Sequence, residues 1–311
     1  MNNVIAQALS LWGMDGAATH LIAARENSVY NVSAGTGPVA LRLHRQGYRT
    51  DAELWSELEW MSAVSKGGIS VPTPIASQSG KMLHVIEGVQ VDVLSWLPGV
   101  PLADTVTEMA AAGRATLFHS IGREMARLHL VSDSWDRPYG FVRCAWDREG
   151  LLGDAPLWDR FWDNPALSAD DRNMLLALRR KASADLVGIG GNQDYGLIHA
   201  DLVSANIMVS NNALSLIDFD DGGFGFRLFE IATALLKFSD DTDFPTIRSG
   251  LIKGYQAIRP IDLTAIDMFM ALRAASYVGW NITRMNEKGG AARNERFIDA
   301  ARHHASVYLS Q

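Results

Sequence analysis

The sequence predicts an α+β protein, with a small antiparallel β-rich N-terminal lobe followed by a larger, mostly helical C-terminal lobe. Three observations carry that expectation. Alternating apolar runs joined by glycine turns crowd the first ninety or so residues. Apolar residues then fall at helical spacing beyond Leu97-Pro98-Gly99, and short strands return only in the stretch from about 195 to 220.

Taken in order, SVYNVSA, GTG and PVALRLH read as two strands joined by a glycine turn, the signature of a hairpin. Residues 49–65 switch to helical spacing, with Leu54, Leu58, Met61 and Val64 on one side. VPTPIAS breaks that helix with two prolines, and KMLHVIEGVQVDVLSWL supplies two more strands around a Glu87-Gly88 turn. Further on, Leu117, Ile121, Met125 and Leu128 lie at i, i+4, i+8 and i+11, the stripe of an amphipathic helix. Short strands follow at GLIHA, NIMVS and LSLIDF, and long helices around 227–238, 263–285 and 294–309. The expected division is an N-lobe at 1–94, a hinge at 95–99 and a helical C-lobe at 100–311. No internal repeat or low-complexity segment interrupts it.

Composition narrows the functional classes. With 311 residues, 48% hydrophobic and 20% charged, the chain has the make-up of an ordinary globular protein able to bury a full core. A net charge of -7 without a basic stripe argues against a nucleic-acid partner. The single cysteine, Cys144, excludes an intrachain disulfide and suits a reducing compartment. The opening MNNVIAQALSLWGMDG does not read as a signal peptide. No apolar run approaches the ~18 residues of a membrane span. No membrane partner is therefore expected, and the expected location is the cytoplasm.

Chemistry concentrates in HADLVSAN (199–206) and IDFDD (217–221). A His-x-Asp in a loop is ordinarily a polar turn. Here it stands between the apolar runs Leu197-Ile198 and Ile207-Met208-Val209, and Asp201 precedes Asn206 by the interval found in a kinase catalytic loop. In that loop the Asp accepts the proton of the substrate hydroxyl and the Asn binds metal. Asp218 follows at the end of a strand, where a kinase places its metal-binding Asp. Magnesium takes oxygen ligands and keeps several waters, so one amide, one or two carboxylates and nucleotide phosphates satisfy it. Asp220 and Asp221 read either as helpers to the metal, as acceptor contacts or as a solvated loop.

With these motifs the sequence resembles the aminoglycoside phosphotransferase and choline kinase family of the protein-kinase-like fold, in its homoserine-kinase-like and stress-response-kinase-like branches. HADLVSAN is similar to the family's His-x-Asp-x-x-x-x-Asn signature and LIDFDD to its strand-borne metal aspartate. GFRLFEIATAL resembles the segment that follows, with Glu230 where the family usually has Asp. The likeness implies ATP and Mg2+ as cofactors and a small-molecule hydroxyl as acceptor. It makes Asp201 the catalytic base and leaves His199 to shape the loop through its ring hydrogen bonds. Asn206 and Asp218 become the metal ligands.

Such a kinase also needs a cation on the third strand to hold phosphates, and a helix acid to position it. VALR (39–42) offers Arg42 where the pattern has lysine. A rotation of about 100° per residue sets Glu53 and Glu57 inside the apolar stripe of the next helix, and the family register favours Glu57. An acid in an apolar stripe is costly unless paired. Arginine is a planar fork rather than a point charge, so Arg42 would grip phosphate with different geometry. The loop over the phosphates, RENSVYNV, lacks G-x-G-x-x-G; Asn27 and Ser28 are its candidate donors. In VLSWLPG the resemblance makes Leu94 the guard of an adenine pocket and assigns adenine hydrogen bonds to the backbone of Ser95 and Leu97.

Two rival readings stay open: a protein kinase of the stress-response type and a nucleotide-binding pseudokinase. No A-P-E segment follows IDFDD, which weakens the first. The acidic balance, with Asp159, Asp163, Asp240, Asp241 and Asp243, favours an amine-bearing acceptor. His119, His129, His303-His304, the scattered tryptophans and Cys144 are read as structural.

Overall fold

A computed structural model describes residues 2–311 apart from 25–26, 36, 190–193 and 212. Part of the polar loop at 25–26 and the centre of the GTG turn at 36 therefore lie outside the described residues. The chain divides into two compact units. One comprises Met1–Thr105, Ser134–Arg143 and Ala205–Asp220; the other comprises Val106–Asp133, Cys144–Ser204 and Asp221–Gln311.

The first unit is built on a five-stranded antiparallel sheet. Its strands are β1 (Thr19–Ala24), β2 (Asn27–Ala34), β3 (Gly37–His44), β4 (Leu83–Ile86) and β5 (Val89–Ser95), in the order β1-β2-β3-β5-β4. The β4–β5 hairpin turns on Glu87 and Gly88, at φ 51° and 79°. Two successive positive φ values are what a tight hairpin needs to match strand twist. Strand β1 was not foreseen, nor was the element ahead of it. The first residues form helix α1 (Asn2–Leu11), whose Val4, Ala8 and Leu9 pack with Trp12 onto Val32, Leu41, Val91 and Val93 of the sheet.

Helix α2 (Asp51–Lys66) starts at a capping box, in which Thr50 accepts from the Glu53 N–H and Glu53 accepts from the Thr50 N–H. Such a cap contributes about 1 kcal/mol. Leu54, Leu58, Met61 and Val64 are all buried, as their spacing requires. A second, three-stranded sheet joins β6 (Val100–Pro101), β9 (Ile207–Ser210) and β10 (Ala213–Leu216) in the order β10-β9-β6.

The second unit is mostly helical. Helices α3 (Ala111–Ser134), α6 (Arg227–Leu236), α8 (Ile266–Trp280) and α9 (Gly290–Leu309) follow the spacing seen in the sequence. To these the structure adds α4 (Arg148–Leu152), α5 (Ala169–Ile189) and α7 (Phe244–Gln256). Helix α6 is buried along its whole length. A helix apolar on nearly all sides belongs in the core, and α8 packs against both α6 and α9. Glycine permits the α3–α7 crossing: a Cβ on Gly122 would sit 2.0 Å from the Leu251 carbonyl oxygen, and one on Gly254 would sit 1.9 Å from that of His119. A small sheet of β7 (Ala145–Trp146), β8 (Tyr195–Ile198) and β11 (Gly223–Phe226) delivers the HADL segment.

Candidate active site

In the first unit, strand alternation puts Ala40, Arg42 and His44 of β3 on one face, directly paired with Leu94, Asp92 and their neighbours on β5. Arg42 extends into a fully charged core. Its Nη1 donates to Glu57 Oε1 at 2.7 Å, while Nε and Nη2 form a fork on the two oxygens of Asp92 at 2.8 and 2.9 Å. His44 Nε2 adds a fourth contact to Asp92 Oδ2 at 2.7 Å. Glu57 and Asp92 are both 0% exposed and Arg42 is 6% exposed.

Burial pushes both carboxylates up, but Arg42 outweighs it and holds Asp92 and Glu57 below the usual carboxylate range. The Arg42–Glu57 pair is the one expected from the sequence; Asp92 and His44 were missed. The signal was the same as for Glu57: a lone acid within an apolar strand, VQVDVLS. Three of the five N–H donors of Arg42 are thus committed to carboxylates, so its charge is shared more widely than in a simple cation–glutamate pair.

Other predicted residues of this unit fall as follows. Leu94 is buried and stands opposite Ala40. The Ser95 N–H donates to the Thr73 carbonyl at 2.8 Å, so any adenine bond from Ser95 falls to its carbonyl. Leu97 is half-buried beyond the end of β5. Asn27 and Ser28 open β2 opposite His44 and Leu43, and Ser28 also pairs with Ala24 of β1, so their main chain lies in the sheet rather than in the loop.

Asn206 is 9% exposed, and its carbonyl accepts from the Ile217 N–H at 3.0 Å, which fixes the spacing between the two candidate metal residues. Asp218 has φ 69°, a left-handed conformation rare outside glycine and typical of functional strain. Asp220 is buried, one of its oxygens has no hydrogen bond among the described residues, and burial together with Glu57 raises its pKa.

In the second unit, a second residue in the left-handed region, Ala200 with φ 63°, follows two positions after the end of β8. His199 is fully buried, and its backbone N–H donates to the two oxygens of Glu230 at 2.9 and 3.0 Å. Glu230 also accepts from the Ala200 N–H and lies 2.8 Å from His129 Nε2. Burial pushes Glu230 up to about 7 and drives His129 well below its ordinary value. The other ring nitrogen of His129, Nδ1, lies 2.8 Å from the Tyr255 hydroxyl, so both nitrogens are hydrogen-bonded. His129, discounted as structural, is a support of the catalytic-type loop.

Glu230→Ala strands two backbone N–H groups in the core, each costing about 1–3 kcal/mol. Urea unfolding is expected to register that loss. A midpoint unchanged from the parent would show that Glu230 does not hold the loop.

The remaining partner in this unit was not anticipated. Arg273 of α8 is 0% exposed, and its Nη2 donates to Asp201 Oδ1 at 2.7 Å and to the Tyr277 hydroxyl at 3.0 Å. Its guanidinium lies over Trp158 and Tyr277, 4.3 and 4.4 Å from their centroids, a cation–π cradle. The Asp201 side chain keeps 24% exposure, so one end is anchored and the group still meets solvent.

The chain as a whole is similar to known proteins. The model of the phosphotransferase enzyme family matches residues 19–269. The chain belongs to that family. A homoserine kinase of Acidiphilium cryptum is 28% identical over 271 residues, covering 84% of this chain and 77% of the relative. The solved structure of a microcompartment-associated aminopropanol kinase superposes with a TM-score of 0.86 at 27% identity, covering 100% of this chain and 98% of the other. The amicoumacin kinase hAmiN, solved in complex with AMP-PNP, Ca2+ and Ami, superposes with a TM-score of 0.79 at 21% identity, covering 96% and 92%.

The fold is that of the kinase-like phosphotransferases, with a β-sheet N-terminal region and a helical C-terminal region. The chain is therefore a phosphotransferase of the small-molecule kinase type. Among its described residues no helix is long and apolar enough to cross a membrane. Among them, too, no cluster of three or more His, Cys, Asp or Glu forms a metal cage by itself.

The phosphotransferase's acidic residues behave differently from expectation. Asp241 and Asp243 pair with Arg114 at 2.7 and 3.2 Å, and Asp163 pairs with Arg160 and Arg172. The Asp159 carboxylate caps the Arg160 N–H. Arginines and a backbone donor thus take up four of the five carboxylates that the sequence suggested as an acidic wall. Asp221 contributes its carbonyl to Trp146 Nε1 at 2.8 Å, a structural tie.

Proposed function

We propose that this phosphotransferase transfers the γ-phosphoryl group of ATP, bound as its magnesium complex, to a hydroxyl of a small amine-bearing metabolite or aminoglycoside in the cytoplasm. The observation that carries the reading is Asp201: a carboxylate anchored at one oxygen by buried Arg273, partly open to solvent, and five residues ahead of Asn206 in the kinase interval. Asp201 would orient the acceptor hydroxyl and take its proton, with His199 buried in support of the loop. Asn206 and Asp218 offer one amide and one carboxylate oxygen, the donor type that a hard divalent cation takes, with nucleotide oxygens and water completing the shell. That cation would neutralise charge on the phosphates. In the expected N-lobe (1–94), Arg42, set by Glu57 and Asp92, would hold the phosphates. The hinge (95–99), with Leu94 beside it, would take the adenine through the Ser95 carbonyl and Leu97. Asn27 and Ser28 flank the phosphate loop. The acceptor would then bind in the C-lobe (100–311). Catalysis on this plan is positioning and charge neutralisation without a covalent enzyme intermediate.

A small acceptor is favoured over a protein because the chain passes from Asp221 through four-residue β11 straight into α6, with no long segment to dock a peptide. The amine rests on the acceptors named for the relatives; the aromatic faces of Trp158 and Trp280 do not add to it, since Arg273 and Arg284 already lie over them. The acidic-wall argument no longer supports it.

The test is ADP release from magnesium–ATP with amino alcohols, hydroxy amino acids, choline-like amines, aminoglycosides, neutral polyols and denatured protein. Turnover confined to amine-bearing alcohols is the expected result. A preferred polyol overturns the amine, and preferred protein overturns the small acceptor. Nucleotide binding without turnover of any acceptor makes the chain a pseudokinase.

A further inference from the structure

The segment Ser134–Arg143 of the first unit returns to α2 after α3. Its Val142 N–H donates to Ser56 Oγ at 2.9 Å, on a helix position that is fully buried. Arg143, 7% exposed, then spans two elements at once. Nη1 donates to the Glu53 carbonyl at 3.1 Å and to Glu57 Oε2 at 3.3 Å. Nη2 donates to the carbonyls of Phe219 and Asp220 at 2.9 and 2.6 Å. Arg49 Nη2 reaches the same Asp220 carbonyl at 2.9 Å, and the Phe219 ring packs edge-on against Trp60 of α2 at 5.1 Å between centroids.

We propose that Arg143 is a positioning residue that sets the phosphate-holding Arg42 and the metal-side Asp218 in one rigid frame. The idea rests on the phosphotransfer reading above. Glu57 is shared: Oε1 takes Arg42 and Oε2 takes Arg143. The other half of the Arg143 fork grips the two carbonyls immediately after Asp218, a residue already held in a left-handed backbone. A planar guanidinium presents its donors in a fixed geometry. Arg143 thus bridges Glu57 directly to the Asp218 turn, beside the Arg49 bond to the Asp220 carbonyl and the Phe219–Trp60 contact.

The test is calorimetric binding of AMP-PNP with and without Mg2+ to the full chain, in the parent and in Arg143→Met, each with and without Arg42→Lys. Thermal melting runs alongside. Loss of a buried charged hydrogen-bond partner corresponds to roughly ten- to hundredfold in affinity. Arg143→Met is expected to weaken Mg2+-dependent binding by at least about tenfold. In that background the further effect of Arg42→Lys is expected to shrink to under about threefold, because Arg42 is no longer held in the shared frame.

A purely structural arginine would lower the melting temperature and leave the Arg42→Lys ratio unchanged, which overturns the proposal. Should Arg143→Met fail to fold, Arg143→Lys enters the same cycle, since lysine reaches either Glu57 or the carbonyls but not both. An unchanged ratio there also overturns it. A parent protein that binds no magnesium–nucleotide overturns the phosphotransfer site itself, whereas normal parent binding with an unaltered Arg143→Met overturns only the role of Arg143.

Discussion

Asp201→Asn is expected to lower turnover by about a thousandfold or more, within the range for removal of a general base, while nucleotide affinity stays near that of the parent. The asparagine oxygen can still accept from Arg273 Nη2, which now spans 2.7 Å to Asp201 Oδ1, so the anchor and the fold survive. What is lost is the negative charge that draws off the acceptor proton. The effect should therefore appear in kcat rather than in the nucleotide KM, because Asp201 is assigned to the acceptor and not to the phosphates. Steady-state rates with the best acceptor, beside calorimetry with AMP-PNP, separate the two quantities. Near-parental turnover would remove Asp201 from the mechanism, and a matched loss of nucleotide affinity would move it to the metal side.

The second large effect belongs to Arg42. Arg42→Ala is expected to cost about 3–5 kcal/mol of stability, as breaking a buried ion pair does, because Glu57 and Asp92 remain buried with less of their counter-charge. Arg42→Lys should cost less, since the ammonium keeps the charge but cannot make the Asp92 fork and the Glu57 bond together. Activity should follow the same order.

A pH dependence accompanies the change. Both carboxylates sit below their ordinary pKa in the folded chain. Their stabilisation is therefore complete above about pH 4–5 and fades as the pH falls, when the unfolded chain takes up protons that the native carboxylates refuse. Urea unfolding at neutral pH and near pH 3.5 should show a steep acid-side loss in the parent and a shallower one in Arg42→Ala. Equal slopes would mean that Arg42 is not the group holding these acids ionised.

Some of this was legible in the chain and some was not. The β2–β3 and β4–β5 hairpins could be read because turn glycines and period-two alternation are local. Helix α2 could be read from its apolar stripe, and Glu57 from being an acid within it. Helix α1 was missed because its apolar residues, Val4, Ala8 and Leu9, occupy a short segment ahead of a strand-rich stretch. Acidic residues such as Asp241 and Asp163 looked like a wall until Arg114, Arg160 and Arg172 were found beside them.

The sequence by itself determined the β2–β3 and β4–β5 hairpins, helix α2 and the Asp201–Asn206 interval, because each depends on short-range spacing, while the choice of Arg42 with Glu57 came with the family register. Only the tertiary structure decided which partners complete those groups. Asp92 is 50 residues from Arg42, Arg273 is 72 residues from Asp201, Arg143 is 86 residues from Glu57 and His129 is 101 residues from Glu230. A buried charge requires a counter-charge or donors, so that such partners exist follows from the sequence. Which residue meets the requirement is set by chain topology, and spacing along the chain carries no trace of it.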